Sequence, residues 1–314
     1  MIELSIVVPV FGCKESLEPL HRRIVDVLSD VCPTWELLLV NDGSCDGAWS
    51  TITALVEKDP RVVGLDLSRN FGQHCAIDAG LRNAAGDRIV VMDCDLQDRP
   101  EEIPRLLSES RSGAEVVVGR RIARKDRFVK KLLSRMFHRA MRFLTGQHYD
   151  PALANFGCYH RKVIEAVLSM GDVSRSFPLF VRWVGFKTQY VDVQHGAREF
   201  GRTTYTFRKS LKLAVGAMIT FSDRPLRMVV TLGLWISLVA GIVAFGYFVG
   251  AVRGAFAVEG WATVVISIWL LGGLVIMIQG VIGLYVSKIF DQTKSRPLYI
   301  VREVARSKTT DQKK

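Results

Sequence analysis

Residues 88–103, RIVVMDCDLQDRPEEI, pass from an apolar run straight into three carboxylates, Asp93, Asp95 and Asp98, with Gln97 among them. The first half has the β-branched content and length of a buried strand, and RPEEI begins a helix. Working outward, the same unit repeats. LSIVVPV (4–10), WELLLV (35–40), RVVGLDL (61–67), DRIVVM (87–92) and AEVVVG (114–119) are apolar runs. Helical patterns over Ser16–Ser29, Ala48–Glu57, Gln73–Ala84 and Glu101–Glu109 separate them. Continuous Val/Ile/Leu strands alternating with helices predict an α/β fold, a mostly parallel sheet covered on both faces. Such sheets bind ligands beyond the carboxyl ends of their strands. NDGSCDG (41–47), SRNFGQH (68–74) and DCDLQD (93–98) all fall at those ends. No GxGxxG follows the first strand and no GxxxxGK[ST] occurs, which disfavours dinucleotide and P-loop chemistry.

The acids then suggest their own chemistry. Asp93 and Asp95, one residue apart at a strand end, aim at one crevice. Crowded carboxylates repel unless a cation joins them. Oxygen ligands, with the Gln97 amide added, suit Mg²⁺ or Mn²⁺ and not zinc. So few protein ligands leave positions for water and phosphate, as in a metal–diphosphate complex. Asp98 reads as the N-cap of the helix that follows.

The 314 residues are 49% hydrophobic and 23% charged, with a mean hydropathy of +0.19. The apolar excess is confined to 228–252 and 260–287, each longer than the roughly 20 residues that cross a bilayer core of about 30 Å. Arg208, Lys209, Lys212, Arg224 and Arg227 precede this pair, and Lys288, Lys294 and Arg296 follow it. Only Arg253 and Glu259 are charged between them, so both termini are expected in the cytoplasm. MIELSIVVPV lacks the basic region and cleavage site of a signal peptide. A net charge of +11 without a nucleic-acid-binding signature points to an anionic lipid surface, not nucleic acid.

Basic amphipathic segments at 124–144 and 205–221 read as interfacial helices on the lipid bilayer. A core helix with a solvated basic face is the alternative for the first. RPLYIVREV (296–304) suggests a short strand and 305–314 a disordered tail. The expected layout is a cytoplasmic catalytic domain (1–204), an interfacial helix (205–225), two membrane helices (226–290) and a cytoplasmic tail (291–314). Gly272, Gly273, Gly280 and Gly283 permit close helix approach, hence a homo-oligomer. The six cysteines (13, 32, 45, 75, 94, 158) form no CxxC pair and are expected as reduced thiols. His74, His138, His148, His160 and His195 are scattered and read as surface or packing residues.

SIVVPVF (5–11), LLLVNDGSCDG (37–47), LSRNFGQHCAIDAGL (67–81), VVMDCDLQDRPEEIP (90–104), VVVGRR (116–121) and FSDRPLRM (221–228) complete a pattern. Together with the paired apolar stretches they resemble the GT-A glycosyltransferases of family 2, in particular the polyprenyl-phosphate glycosyltransferases. The resemblance implies a nucleotide-sugar donor, with Pro9 and Phe11 flanking the base and Asp42 bonding the nucleoside. It implies Asp93 facing the nucleotide and Asp95, Gln97 and Asp93 as the metal set. Arg121, Arg135 and Arg198 match family arginines that hold phosphates. Three departures stand out. Phe11-Gly12-Cys13 replaces Tyr-Asn-Glu, with Glu15 as a substitute; Asn155 stands near the place of an acid; Thr204 replaces a lysine, with Arg202 as the substitute cation. The implied reaction is inverting, metal-dependent transfer of a sugar, UDP-linked in preference to GDP-linked, to a polyprenyl phosphate at the cytoplasmic face. Transfer to a lipid-linked saccharide hydroxyl, with Asp150 as base, is the alternative.

Overall fold

The apolar runs become strands β1 (Leu4–Val10), β2 (Trp35–Asn41), β3 (Val62–Leu67), β4 (Arg88–Val91) and β5 (Val116–Arg121). Every residue of β1, β2 and β3 is buried, as strands covered on both faces require. The intervening helices are α1 (Lys14–Leu28), α2 (Ala48–Lys58), α3 (Gln73–Asn83) and α4 (Ile103–Arg111). They are followed by β6 (Leu153–His160), α5 (Arg161–Leu168), α6 (Phe177–Trp183), β7 (Thr188–Val193), α7 (Arg224–Val252), α8 (Trp261–Thr293) and β8 (Val301–Ala305). This computed structural model describes residues 2–121, 153–172, 176–194, 196, 224–252 and 260–307. The chain divides into two compact units, one of residues 1–126, 150–204 and 296–314 and the other of 127–149 and 205–295.

The first unit is one sheet of eight strands in the order β7-β5-β6-β4-β1-β2-β3-β8. β1 pairs in parallel with β2 and β4, and β2 with β3. The expectation of an α/β sheet flanked by helices is met. Within this sheet β6 lies between β4 and β5, antiparallel to both. Gly157 makes that insertion feasible, since a Cβ there would lie 2.7 Å from the Val117 carbonyl oxygen. The polar Asn155 and the glycine conceal β6 from a search for apolar runs.

Helix α3 sits hard against the sheet. At Gly80 a Cβ would lie 2.4 Å from Val7 Cγ1, so glycine sets how closely the helix and its first residue approach the strand ends. At the far edge β8 pairs antiparallel with β3, and Arg302 reaches Asp66 Oδ2 at 3.2 Å and the Ser68 carbonyl at 2.6 Å. The expected short strand is therefore present. It covers a sheet edge that would otherwise expose unpaired backbone, and residues from Arg296 onward belong with the first unit.

In the second unit, residues Ser267–Thr293 of α8 have a mean hydropathy of 2.0 and are long and apolar enough to cross a membrane. Trp269, Leu270 and Ile276 are each more than 70% exposed. An apolar surface of that kind calls for lipid or a partner. α7 contains a shorter apolar stretch, Leu226–Ala240. The amphipathic segments expected at 124–144 and 205–221 lie outside the described residues.

Candidate active site

β1, β2, β3 and β4 run in the same direction, so their carboxyl ends share one rim. β1 and β4 are neighbours, with Val7 opposite Val91. The segments that leave them, Phe11–Cys13 and Asp93–Asp95, are therefore brought together. Cys13 and Cys94 form a disulfide with Cα atoms 6.4 Å apart, which corrects the expectation of six reduced thiols. They are 81 residues apart, so local cysteine spacing holds no trace of a pairing made by strand order. Cys32, Cys45, Cys75 and Cys158 are free. Ser16 reinforces the junction, its hydroxyl lying 2.8 Å from the Cys13 carbonyl and 2.6 Å from that of Cys94.

The acid loop is tightly wound. Asp93 Oδ1 accepts from Gln73 Nε2 at 2.6 Å. The Asp93 amide donates to Asp98 Oδ2 at 3.2 Å, and the Gln97 amide donates to Asp95 Oδ1 at 3.2 Å. Leu96, with φ of +60°, is buried in the core cluster. A bulky residue in the left-handed region is uncommon, and burial of its side chain holds the turn that presents Asp95 and Gln97.

Asp98 does not cap the helix as expected. The turn Pro100–Glu102 begins after Arg99 without a side-chain cap, and the Asp98 carboxylate is buried and directed back to the Asp93 amide. The three-acid reading thus narrows to Asp93, Asp95 and Gln97, all partly exposed. Among the described residues no three His, Cys, Asp or Glu side chains converge as a metal cluster. Two carboxylates and an amide oxygen fit a Mg²⁺- or Mn²⁺-type ion that takes its remaining ligands from water and phosphate. They do not fit a structural zinc.

The β2 end forms a second bracket. Asp42 is buried, and its two oxygens accept from the Phe71 amide at 2.7 Å and the Gly72 amide at 2.9 Å. Burial pushes its carboxyl above the usual range, against the pull of those amides. Gly43, at φ +64°, lies so close to the next loop that a Cβ would sit 2.5 Å from Arg69 C and Asn70 N. Asn41 Nδ2 donates to Asp66 Oδ1 at 2.7 Å, the carboxylate that Arg302 also holds. Ser44 Oγ accepts from the Gly12 amide at 2.8 Å, and Asp46 Oδ2 accepts from the Lys14 amide at 3.0 Å. The loops after β1, β2, β3 and β4 are thereby stitched into one surface.

Phe11 stands 56% exposed on this surface. Pro9 is buried inside β1 opposite Val40, and Glu15 is exposed in the first turn of α1. Arg121 is the last residue of β5. Asn155 lies in β6, and its carbonyl accepts from the Tyr159 hydroxyl at 3.4 Å. Arg135, Asp150, Arg198, Arg202 and Thr204 lie outside the described residues. His160 Nδ1 accepts from the Lys162 amide at the start of α5. His74 lies with Asp78 and Phe177 around a small cavity. Sequence reading missed Gln73, Arg302 and the cysteine pair. For Gln73 a signal existed, its place in SRNFGQH at the rim.

The Glycosyl transferase family 2 profile matches residues 5–168. The uncharacterized glycosyltransferase YkcC of Bacillus subtilis is 35% identical over 303 residues, covering 96% of this chain and 94% of its own. The undecaprenyl-phosphate 4-deoxy-4-formamido-L-arabinose transferase of Pectobacterium carotovorum is 32% identical over 316 residues, covering 98% of this chain and 94% of its own. Among solved structures, the mannosyltransferase PcManGT of Pyrobaculum calidifontis in complex with GDP-Man and Mn²⁺ covers 92% of this chain and 87% of its own, at 14% identity and a TM-score of 0.49. On the profile and the nearly full-length relatives, this chain belongs to glycosyl transferase family 2.

Proposed function

We propose that this glycosyltransferase moves a sugar from a nucleotide-sugar, UDP-linked in preference to GDP-linked, to the phosphate of a membrane polyprenyl phosphate. The observation that carries the donor half is the rim, where Asp93 and Asp95 are presented at the carboxyl end of β4 beside the Asp42 bracket. The acceptor half is supported by relatives named undecaprenyl-phosphate sugar transferases, whose match extends over 98% of this chain. The exposed apolar surface of α8 agrees with an acceptor whose tail stays in lipid.

In this reading Asp95, Gln97 and Asp93 would hold Mg²⁺ or Mn²⁺, which supplies neutralising charge for the departing diphosphate. Phe11 offers an exposed aromatic face to the base and Glu15 an acceptor for the nucleoside, whereas Pro9, buried within β1, and Asp42, buried with both oxygens on backbone amides, support the site from behind without facing the donor. Arg121, Arg135, Arg198 and Arg202 bind phosphate oxygens, for which the forked guanidinium is suited. The acceptor phosphate is already an anion, so alignment and charge stabilisation replace a strong base. Attack opposite the leaving group inverts the anomeric centre. Two membrane helices would keep the catalytic unit at the cytoplasmic headgroups. The small residues Gly272, Gly273, Gly280 and Gly283 of α8 would permit close helix approach in a homo-oligomer.

The test is to incubate membranes carrying the protein with labelled UDP- and GDP-sugars, with and without added undecaprenyl phosphate, and to separate the extracted lipids. Label in a product that appears only with undecaprenyl phosphate and is lost in Asp95→Ala supports the proposal. Label found only on a larger lipid-linked saccharide, or no lipid label from any sugar, contradicts it.

A further inference from the structure

The structure assigns Gln73 as a positioning residue that holds the Asp93 carboxylate for the metal–nucleotide complex, and Asp42 as the anchor that delivers Gln73 to it. This rests on the reading of the rim as the donor site.

Gln73 Nε2 lies 2.6 Å from Asp93 Oδ1 although the two are 20 residues apart. The Gln73 side chain is exposed, so packing around it does not set its direction. Its backbone does. Asp42 takes the amides of Phe71 and Gly72, the two residues immediately before Gln73. Gly43, lacking a Cβ, lets the 69–70 backbone pack directly against the loop after β2. Gly72, with φ of +98° and ψ of 151°, turns the chain into α3 through a conformation open essentially only to glycine. Gly80 then seats α3 on β1 and β2. Four independent features thus converge on where the Gln73 amide starts, and the 2.6 Å bond shows where it ends.

The chemistry of the donor matters as much as its position. A lysine or arginine at 73 would neutralise Asp93 and compete with a metal ion for it. A primary amide orients the carboxylate and leaves its charge in place. The arrangement matches the way metal-binding carboxylates are held by hydrogen bonds outside the ligand shell, where loss of the partner typically weakens metal binding by about 10–100-fold. It also explains why both Asp42 oxygens engage backbone amides, for Asp42 acts on the site through the loop it holds.

The experiment uses the full chain in detergent and measures MnCl₂ binding in the presence of UDP, and separately GDP, by calorimetry and by the Mn²⁺ electron-spin signal. Wild type, Gln73→Ala, Gln73→Met, Gln73→Glu and Asp95→Ala are compared, with Tm recorded for each. Gln73→Met keeps length without the amide and serves if Ala disturbs the start of α3. Gln73→Ala and Gln73→Met should bind Mn²⁺–nucleotide about ten-fold more weakly at unchanged Tm. In transfer assays the donor KM should rise more than kcat falls. Gln73→Glu, which adds another carboxylate beside Asp93 and cannot donate while ionised, should be at least as impaired. Wild-type affinity in both Gln73→Ala and Gln73→Met, with Asp95→Ala impaired, overturns the positioning role alone. Wild-type affinity in Asp95→Ala as well overturns the donor-site reading beneath it.

Discussion

At the amino ends of the strands, Glu3 meets Arg111 at 2.7 Å, and Asp59 meets Arg61 at 2.8 Å and His21 at 2.9 Å. At the carboxyl ends, Asp42 receives backbone amides and Asp93 receives the side-chain amide of Gln73. Burial works to raise Asp59, but the hydrogen bonds from Arg61 and His21 bring it down to about 2. Asp42, held by neutral donors, is instead pushed upward by its burial. An arginine partner cancels the charge it binds and makes the acid part of the scaffold. Amide donors fix direction and leave the charge for something else to meet. The difference is one of individual acids: Glu3, Asp59 and, at the carboxyl rim, Asp66 with Arg302 belong to the scaffold, whereas on the proposed reading Asp93 is left with its charge to meet a cation.

Substitutions that exchange the two behaviours test the contrast. Asp95→Ala should lower sugar transfer by at least about a thousand-fold, roughly 4 kcal/mol in transition-state stabilisation, with Tm nearly unchanged. Asp59→Asn should do the reverse, leaving kcat within about two-fold while lowering Tm. Steady-state kinetics and thermal unfolding on both variants decide whether the two kinds of acid are as different as they look.

The disulfide is the next lever. Chain-entropy arguments for a crosslink spanning 81 residues allow up to about 4 kcal/mol of stabilisation. Cys13→Ser with Cys94→Ser should therefore lower the denaturant midpoint clearly. Because the crosslink joins the β1 loop to the acid loop, donor KM should rise as well. A midpoint shift with an unaltered KM would mean that Ser16 alone keeps the two loops in place.

Arg302→Ala strips one partner from Asp66, which is buried and retains Asn41. The expected loss is about 1–3 kcal/mol, measured by equilibrium denaturation of the full chain. The smallest effect is the acid limb of stability. The Asp59 pKa is about 2 in the folded chain against an ordinary 3.8, so its contribution is fully present above that ordinary value. It is lost as pH falls through about 2. The stability difference between wild type and Asp59→Asn should accordingly shrink on titration from about pH 5 toward pH 2.

Much of the first unit could be read from residues alone. The first five strands and four helices follow uninterrupted apolar runs, and the rim follows from parallel topology before any side chain is placed. What escaped depends on partners distant in sequence. Helix α1 begins at Lys14, two residues before the expected start, because Asp46 from another loop accepts from the Lys14 amide. β6 is a strand because β4 and β5 flank it, whatever its own apolar content. Asp98 looks like a helix cap locally, yet the winding of the acid loop turns it inward. Cys13–Cys94 and Gln73–Asp93 are contacts of strand order, and no local spacing rule reaches them.

The most direct test of the central claim is the anomalous signal of Mn²⁺ in crystals grown with MnCl₂ and a nucleoside diphosphate. A peak within coordination distance of Asp95, shared with the diphosphate oxygens at the carboxyl ends of β1 and β4, is the expected result. A nucleotide bound away from this rim, with Asp93 and Asp95 contacting neither metal nor phosphate, would contradict it.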